Sequence, residues 1–168
     1  YHKAGYYEKA LEHFERVAEI NTDNPKTLQL IVNICREMEK PEKAVRYAKD
    51  ILRLEPDNAL ALAELGYAEW QTGHKQQGMA RFVRAMMKES EHSNTYFLPA
   101  QIMRQGDPEA ARDLLYKAVD LEPEAPRALH QLCMLETYFL NHTGLEDVAK
   151  RYLALEPSDN GIRWQLMQ

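Results

Sequence analysis

The sequence predicts an all-α protein, an α-solenoid in which pairs of helices stack one after another along the chain. Three observations support this prediction. One pattern of small, aromatic and proline residues returns every 33 or 34 positions, residues that favour helices dominate throughout, and no run alternates apolar with polar residues as a strand would. A chain of 168 residues that is 45% hydrophobic also has enough apolar side chains for a core.

Three series of landmarks define the repeat. Small residues that permit close helix packing recur at intervals of 34, 34 and 33, at Ala10, Ala44, Gly78 and Ala111. A second series lies four residues further on, at Phe14, Ala48, Phe82, Leu115 and Ala149. Leu-Glu-Pro ends fall at Pro56, Pro123 and Pro157. This period predicts one array over 1–168, with complete repeats at 25–58, 59–91, 92–125 and 126–159 and partial repeats at 1–24 and 160–168.

Within each complete repeat, the apolar spacing predicts two helices. The clearest first helix covers 59–68 and the clearest second helix covers 111–121, both with apolar residues three and four positions apart. Gly5, Gly73 and Gly106 are expected in the short turns between the two helices, since glycine commonly follows the end of a helix.

The second helices also carry start signals. Pro41 and Pro108 fall at a first turn, where a missing N–H costs nothing, and Asp107 is placed to cap the helix that follows it. Thr143 and Glu146 match a capping box for the last complete second helix.

This pattern resembles the tetratricopeptide repeat, a helix-turn-helix unit of 34 residues, over the whole chain. The resemblance is carried by Leu65 and Gly66 in a first helix, by the small and aromatic landmarks of the second helices, and by the prolines at the repeat ends. It implies a right-handed superhelix whose first helices line a concave groove, and a scaffold that binds other proteins. Pro99 departs from the pattern, because a proline inside a first helix should kink or break it.

Charge and motifs argue against several classes of function. A net charge of −5 and a pI near 5.7 argue against a nucleic-acid or anionic-lipid partner. No run approaches the ~20 apolar residues of a membrane span, so we expect no direct membrane insertion. The carboxylates fall on predicted solvent faces, and no nucleophile, phosphate-loop or metal-ligand motif is present. We therefore expect no enzyme activity, no cofactor and no metal.

The two cysteines lie in apolar helical patterns about three repeats apart. We expect Cys35 and Cys133 to be buried free thiols rather than a disulfide, because stacked repeats would hold them too far apart to bond. Free thiols favour a reducing compartment, and hence the cytoplasm over the periplasm.

The side chains of the first helices that do not face the core predict a partner-binding groove. They are Asn33, Arg36, Tyr67, Trp70, Tyr96, Arg104, His130, Met134 and Tyr138. Trp164 extends the row. Aromatic and Arg side chains are common binding hot spots, so we expect a peptide or helical segment here, with Arg36 and Arg104 pairing its acidic groups. Alternatively, the rings fill a tightly curved core.

Two other functions stay open at this stage. Arrays that resemble this one occur in bacterial envelope machines that assemble or export polysaccharide, and an aromatic row suits sugar rings. A further alternative is that the array serves as a spacer for a catalytic domain elsewhere in a longer parent chain. Neither end has the polar face of a terminal repeat, so we expect a slice of a longer array whose open ends permit self-association.

Overall fold

The computed structural model describes residues 2–21, 23–88 and 90–167, and these form ten α-helices and no strand. In chain order the helices are α1 (His2–Ile20), α2 (Pro25–Glu37), α3 (Pro41–Leu54), α4 (Ala59–Gln71), α5 (Lys75–Met86), α6 (Asn94–Met103), α7 (Pro108–Leu121), α8 (Pro126–Tyr138), α9 (His142–Leu155) and α10 (Asn160–Gln165). Among these helices, none combines the length and the apolar character that a membrane crossing requires.

The chain divides into two compact units, residues 1–90 and 91–168. In the first unit each helix from α1 to α5 packs against the next one in sequence, and α2 also contacts α4. In the second unit α6 to α10 pack in the same sequential way. The predicted fold class, an all-α solenoid of stacked helix pairs, is confirmed.

The first helices bury the apolar faces that the sequence assigned to the core. Fully buried members include Ile31, Leu62, Leu65, Leu98, Leu129 and Leu132. Burying one such side chain stabilises the fold by roughly 1.5–3 kcal/mol. Ala63 and Ala100, two small residues of the first helices, are also fully buried. The apolar stripe of α4 and α6 is therefore wider than the spacing of the large residues predicts.

Helices α4 and α5 meet at two glycines. A Cβ atom added to Gly78 would lie 2.6 Å from the carbonyl oxygen of Gly66, and one added to Gly66 would lie 2.9 Å from the carbonyl oxygen of Gly78. The ring of Phe82 closes the same contact, 3.0 Å from the added Gly66 Cβ. The two backbones touch here, as the small-residue series predicts.

Most of the predicted turn and cap signals act where the sequence placed them. The Oδ1 atom of Asp107 accepts a hydrogen bond from the backbone N–H of Ala110 at 3.0 Å and caps α7. Gly73 has a φ of +89°, a left-handed conformation that glycine adopts without steric cost. Gly106 lies in the turn before α7.

The capping box predicted for α9 is wrong. The N-cap is Asn141, whose Oδ1 accepts from the N–H of Gly144 at 3.2 Å, so Thr143 already lies inside the helix. Asn caps a helix at least as well as Thr, and here it comes earlier in the chain. The carboxylate of Glu146 pairs instead with Lys150 at 2.6 Å.

The turn predicted at Gly5 is also wrong, because α1 runs without interruption from His2 to Ile20. No proline follows this glycine to define a new helix start, in contrast to Gly106, which Pro108 follows. A glycine inside a helix costs only about 1 kcal/mol relative to alanine, which the helix-favouring neighbours offset.

Helix α6 is not broken at Pro99. It spans 10 residues and continues past the buried proline to Met103. The second unit therefore has a complete, though short, first helix at this point.

Candidate partner-binding surface

The second unit exposes a patch of apolar and aromatic side chains on its first helices. Met134 and Tyr138 of α8 are 41% and 69% exposed, and Trp164 of α10 is 60% exposed. His130 precedes Met134 by four positions, so these α8 residues share one face of the helix. We call His130, Met134, Tyr138 and Trp164 the α8–α10 patch.

Polar contacts hold the two helices of this patch side by side. Gln165 of α10 donates from Nε2 to the sulfur of Met134 at 3.7 Å, and its Oε1 atom lies 3.3 Å from the hydroxyl oxygen of Thr137. Asp159 is the N-cap of α10, and its carboxylate accepts from the N–H of Ile162 at 3.1 Å. The cap stabilises the start of α10, and the contacts of Gln165 join this helix to α8.

The imidazole of His130 lies at the inner edge of the patch. It is half-buried, and its ring centre is 5.4 Å from that of Tyr152 on α9. Tyr152 in turn donates its hydroxyl to Asp159 at 3.0 Å. Burial, followed by this hydrogen bond, raises the pKa of Tyr152 to about 12, so it stays a neutral donor at physiological pH.

The two predicted residues of α6 are placed differently from the patch. Tyr96 is half-buried, and the ammonium nitrogen of Lys117 on α7 lies 5.9 Å from the centre of its ring. Arg104 is exposed at the C-terminal end of α6. Lys117 of the second helix α7 thus partly covers the ring of Tyr96, whereas the side chain of Arg104 is exposed to solvent.

In the first unit, Arg36 differs from its predicted role. Its side chain is only 12% exposed, and its guanidinium forms an ion pair with the buried carboxylate of Glu64 on α4 and a longer one, 3.5 Å, with Glu37. We expected this arginine to pair with acidic groups of a ligand, but its charge is used within the fold. Asn33, one turn earlier, accepts a hydrogen bond from Gln29 at 3.1 Å.

Tyr67 and Trp70 lie on α4 and are both half-buried. The ammonium nitrogen of Lys75 is 5.4 Å from the Trp70 ring centre, and the Trp70 backbone forms part of the close contact at Gly78. In this unit the rings contribute to packing as well as to the surface. The sequence left two interpretations of the aromatic side chains open, a partner-binding surface and a filled core. The exposed rings of α8 and α10 fit the first interpretation, and the half-buried rings of α4 fit the second in part.

Three buried carboxylates contradict the expectation that all acidic groups face solvent. Glu64 pairs with Arg36, and Glu69 lies 3.5 Å from Arg81. Glu136 is fully buried and accepts hydrogen bonds from Tyr116 at 2.8 Å and from Asn141 at 2.6 Å. A signal was available for Glu64, because it interrupts the apolar run of 59–68, and such a residue needs a buried partner.

Both cysteines are buried and free, as predicted. Burial raises the pKa of the Cys35 thiol to about 11 and that of Cys133 to about 12. A thiol that stays protonated is a poor nucleophile, so neither residue supplies reactive chemistry.

Comparison with known proteins gives one family match and many similarities in fold. A family model described as tetratricopeptide repeat matches residues 1–24. No curated protein matches the chain in sequence. Many solved structures match its fold, and three of them illustrate the range.

MamA is 18% identical, with a TM-score of 0.62, and the match covers 95% of this chain and 94% of MamA. YrrB, described as a TPR protein with an unusual peptide-binding site, is 16% identical, with a TM-score of 0.66 over 93% of this chain and 81% of YrrB. A human IFIT1 dimer with m7Gppp-AAAA is 18% identical, with a TM-score of 0.72 over 95% of this chain and 40% of IFIT1.

These findings define the chain first as an all-α repeat protein of stacked helix pairs. The family match at residues 1–24 and the similarity in fold to a solved TPR protein, YrrB, agree with the tetratricopeptide resemblance that the small-residue and proline landmarks indicate. Stacked helical repeats of this kind commonly present extended binding surfaces.

Proposed function

We propose that the chain is a non-catalytic scaffold that binds a peptide or a helical segment of a partner protein on its first-helix surface, the face of α8 and α10 that carries the α8–α10 patch. The observation that carries the proposal is the α8–α10 patch, where a methionine, a tyrosine and a tryptophan lie exposed on adjacent first helices. Exposed patches of large apolar side chains commonly mark surfaces that bind other proteins.

The chemistry of the patch favours a segment with apolar side chains and backbone polar groups. Burying Tyr138 or Trp164 would stabilise a complex by about 2 kcal/mol each. Met134 adapts its shape to different ligands, and the half-buried imidazole of His130 offers a polar contact at the edge. A tyrosine hydroxyl and an indole N–H can bond to a peptide backbone while the rings contact its side chains.

The remaining predicted residues are accessible within their own units. Asn33, Tyr67 and Trp70 in the first unit, and Tyr96 and Arg104 in the second, are each at least partly accessible. Of the two predicted arginines, we assign ligand pairing to Arg104. Arg36 is a positioning residue in this proposal, because its ion pair with Glu64 joins α2 to α4.

Two comparisons bear on the class of ligand. The description of YrrB as a TPR protein with a peptide-binding site favours a peptide ligand. The IFIT1 structure contains m7Gppp-AAAA, so similarity in fold does not by itself argue against a nucleic-acid ligand. The net charge of −5 does argue against one, because binding of a phosphate backbone depends on an excess of Lys and Arg.

The experiment is a selection from a random peptide library followed by affinity measurement. The selection is carried out at about 0.5 M salt, where charge attraction is screened and apolar contacts dominate. Binding of the enriched peptides is then measured by calorimetry for the native chain, for a Tyr138→Ala/Trp164→Ala variant, and for Tyr6→Ala, which removes an exposed ring from α1.

We expect at least a tenfold loss of affinity in the double variant and no change in Tyr6→Ala. Equal affinity of the native chain and the double variant would refute the assignment of the patch.

A further inference from the structure

A second groove lies on the other helices of the first unit, between the second helices α3 and α5. It has a volume of about 750 Å³, within the range of ligand pockets, and Pro56 and Leu65 also line it. Its walls carry five cationic side chains and two carboxylates. The cations are Arg46, Lys49, Arg53, Arg81 and Arg84, and the carboxylates are Glu42 and Asp50. We call this the second-helix groove. In a chain with a net charge of −5, its excess of positive charge is local.

The neighbouring groove, between α1 and α3, is built in the same way but has no excess of positive charge, since its lining residues include four carboxylates and three cations. There the carboxylate of Glu15 accepts hydrogen bonds from Lys43 at 2.8 Å and from Tyr47 at 3.0 Å. One repeat period of 34 residues further on, Lys49 stands in the place of Glu15 and Arg81 in the place of Tyr47. The carboxylate that joins two successive second helices is thus replaced by a second cation.

The fold uses only part of this positive charge. Arg53 is paired with Asp50, Arg81 contacts Glu69 at 3.5 Å, and Arg84 reaches the loop that precedes α4. Lys49 forms no ion pair or hydrogen bond with the described part of the chain. It is therefore available to a ligand, next to Arg53 and Arg84, whose partners Asp50 and Asp57 are partly solvated.

The groove also has apolar walls. Val45 and Leu52 of α3 line it and are only partly buried. No aromatic residue is among its described lining residues, and Glu42 and Asp50 would repel a continuous phosphate backbone. Single-stranded nucleic acids bind through stacking on aromatic rings along a basic track, and the groove lacks those rings.

We propose that the second-helix groove binds an acidic, partly apolar peptide segment of a partner protein, with a carboxylate on Lys49 and apolar side chains against Val45 and Leu52. Arg84 and Arg53 extend the positive field to further carboxylates of the same segment. This surface is separate from the first-helix surface, so the chain can hold two different segments. Charge complementarity of this kind chiefly raises the association rate and the selectivity.

The probe is a fluorescein-labelled peptide of alternating Glu–Glu and Leu–Leu pairs, and the measurement is fluorescence anisotropy at low salt. Lys49→Glu is the decisive variant. It places a carboxylate at the position that Glu15 occupies one repeat earlier, and the new carboxylate can pair with Arg81, so we expect the variant to fold. Lys9→Glu, on the exposed face of α1, makes the same change in net charge away from the groove.

We expect the peptide to bind the native chain and Lys9→Glu equally, and Lys49→Glu about tenfold or more weakly. Replacing every Glu of the peptide by Gln, or raising the salt, should weaken binding to a similar extent. The proposal is overturned if the peptide does not bind, if both variants lose affinity equally, or if the Gln peptide binds as well. It is also overturned if an oligouridine binds more tightly than the peptide and loses that affinity in Lys49→Glu.

Discussion

At the scale of single residues, Glu15 explains how one second helix is attached to the next. Its carboxylate accepts from Lys43 of α3 and from the hydroxyl of Tyr47. Partial burial by itself would raise the pKa of Glu15, but the hydrogen bonds from Lys43 and Tyr47 outweigh it and hold the pKa below its ordinary value. The ionised carboxylate is therefore favoured by folding.

This pKa shift predicts a pH-dependent contribution to stability. A lowered folded-state pKa means that the contribution is complete above the ordinary glutamate value of about 4.3 and is lost as the pH falls through the lower folded value. Urea unfolding of the native chain and of Glu15→Gln should differ at pH 7 and converge as the pH falls below about 4.3. The exposed neighbour Glu12 provides the control, because Glu12→Gln should change stability little at either pH. A difference for Glu15→Gln that persists undiminished at low pH would contradict the assignment.

The side-chain roles that were predicted wrongly belong to residues whose hydrogen-bond or ion-pair partners lie far away along the chain. Nothing near Glu136 in sequence indicates that Tyr116, on the preceding second helix, will donate to it. Arg36 and Glu64 are similarly separated by 28 positions. A side chain's hydrogen-bond partner depends on three-dimensional packing, whereas helical periodicity reports only which face of a helix is apolar.

At the scale of helices, the small-residue series was the most reliable signal. It requires only that two backbones approach closely, a condition that any large side chain would violate. It predicted the contact of α4 with α5 through Gly66 and Gly78. The turn at Gly5 could not be predicted as reliably, because glycine permits a turn but does not require one.

The two kinds of glycine lead to opposite predictions for the same substitution. Gly78→Ala should destabilise the chain by about 1–3 kcal/mol, because the new Cβ would clash with the Gly66 backbone. Gly5→Ala should stabilise it by up to about 1 kcal/mol, because no atom lies within 4 Å of the added Cβ and alanine favours the helix. Thermal and urea unfolding of both variants measure these changes. A Gly78→Ala protein as stable as the native one would show that α4 and α5 do not touch as described.

At the scale of the whole molecule, the repeat period predicted the fold class, the helix pairs and most of the buried first-helix positions. The assignment of 1–168 to a single array remains a prediction, since the described residues form two compact units. The candidate site remains a proposal: of its predicted residues, His130, Met134 and Tyr138 lie together on α8, whereas Arg36 is paired within the fold. The basic second-helix groove did not emerge from the repeat, because tetratricopeptide landmarks specify small and apolar positions and leave surface charges free to vary.

We propose above all that a partner segment binds the first-helix surface of the second unit. The most direct test is nuclear magnetic resonance on the isotope-labelled chain, titrated with a peptide selected at high salt as described above. We predict that the largest chemical-shift changes fall on α8 and α10, at Met134, Tyr138 and the indole N–H of Trp164. Shift changes centred instead on the second helices α7 and α9, with those three side chains unaffected, would contradict the account.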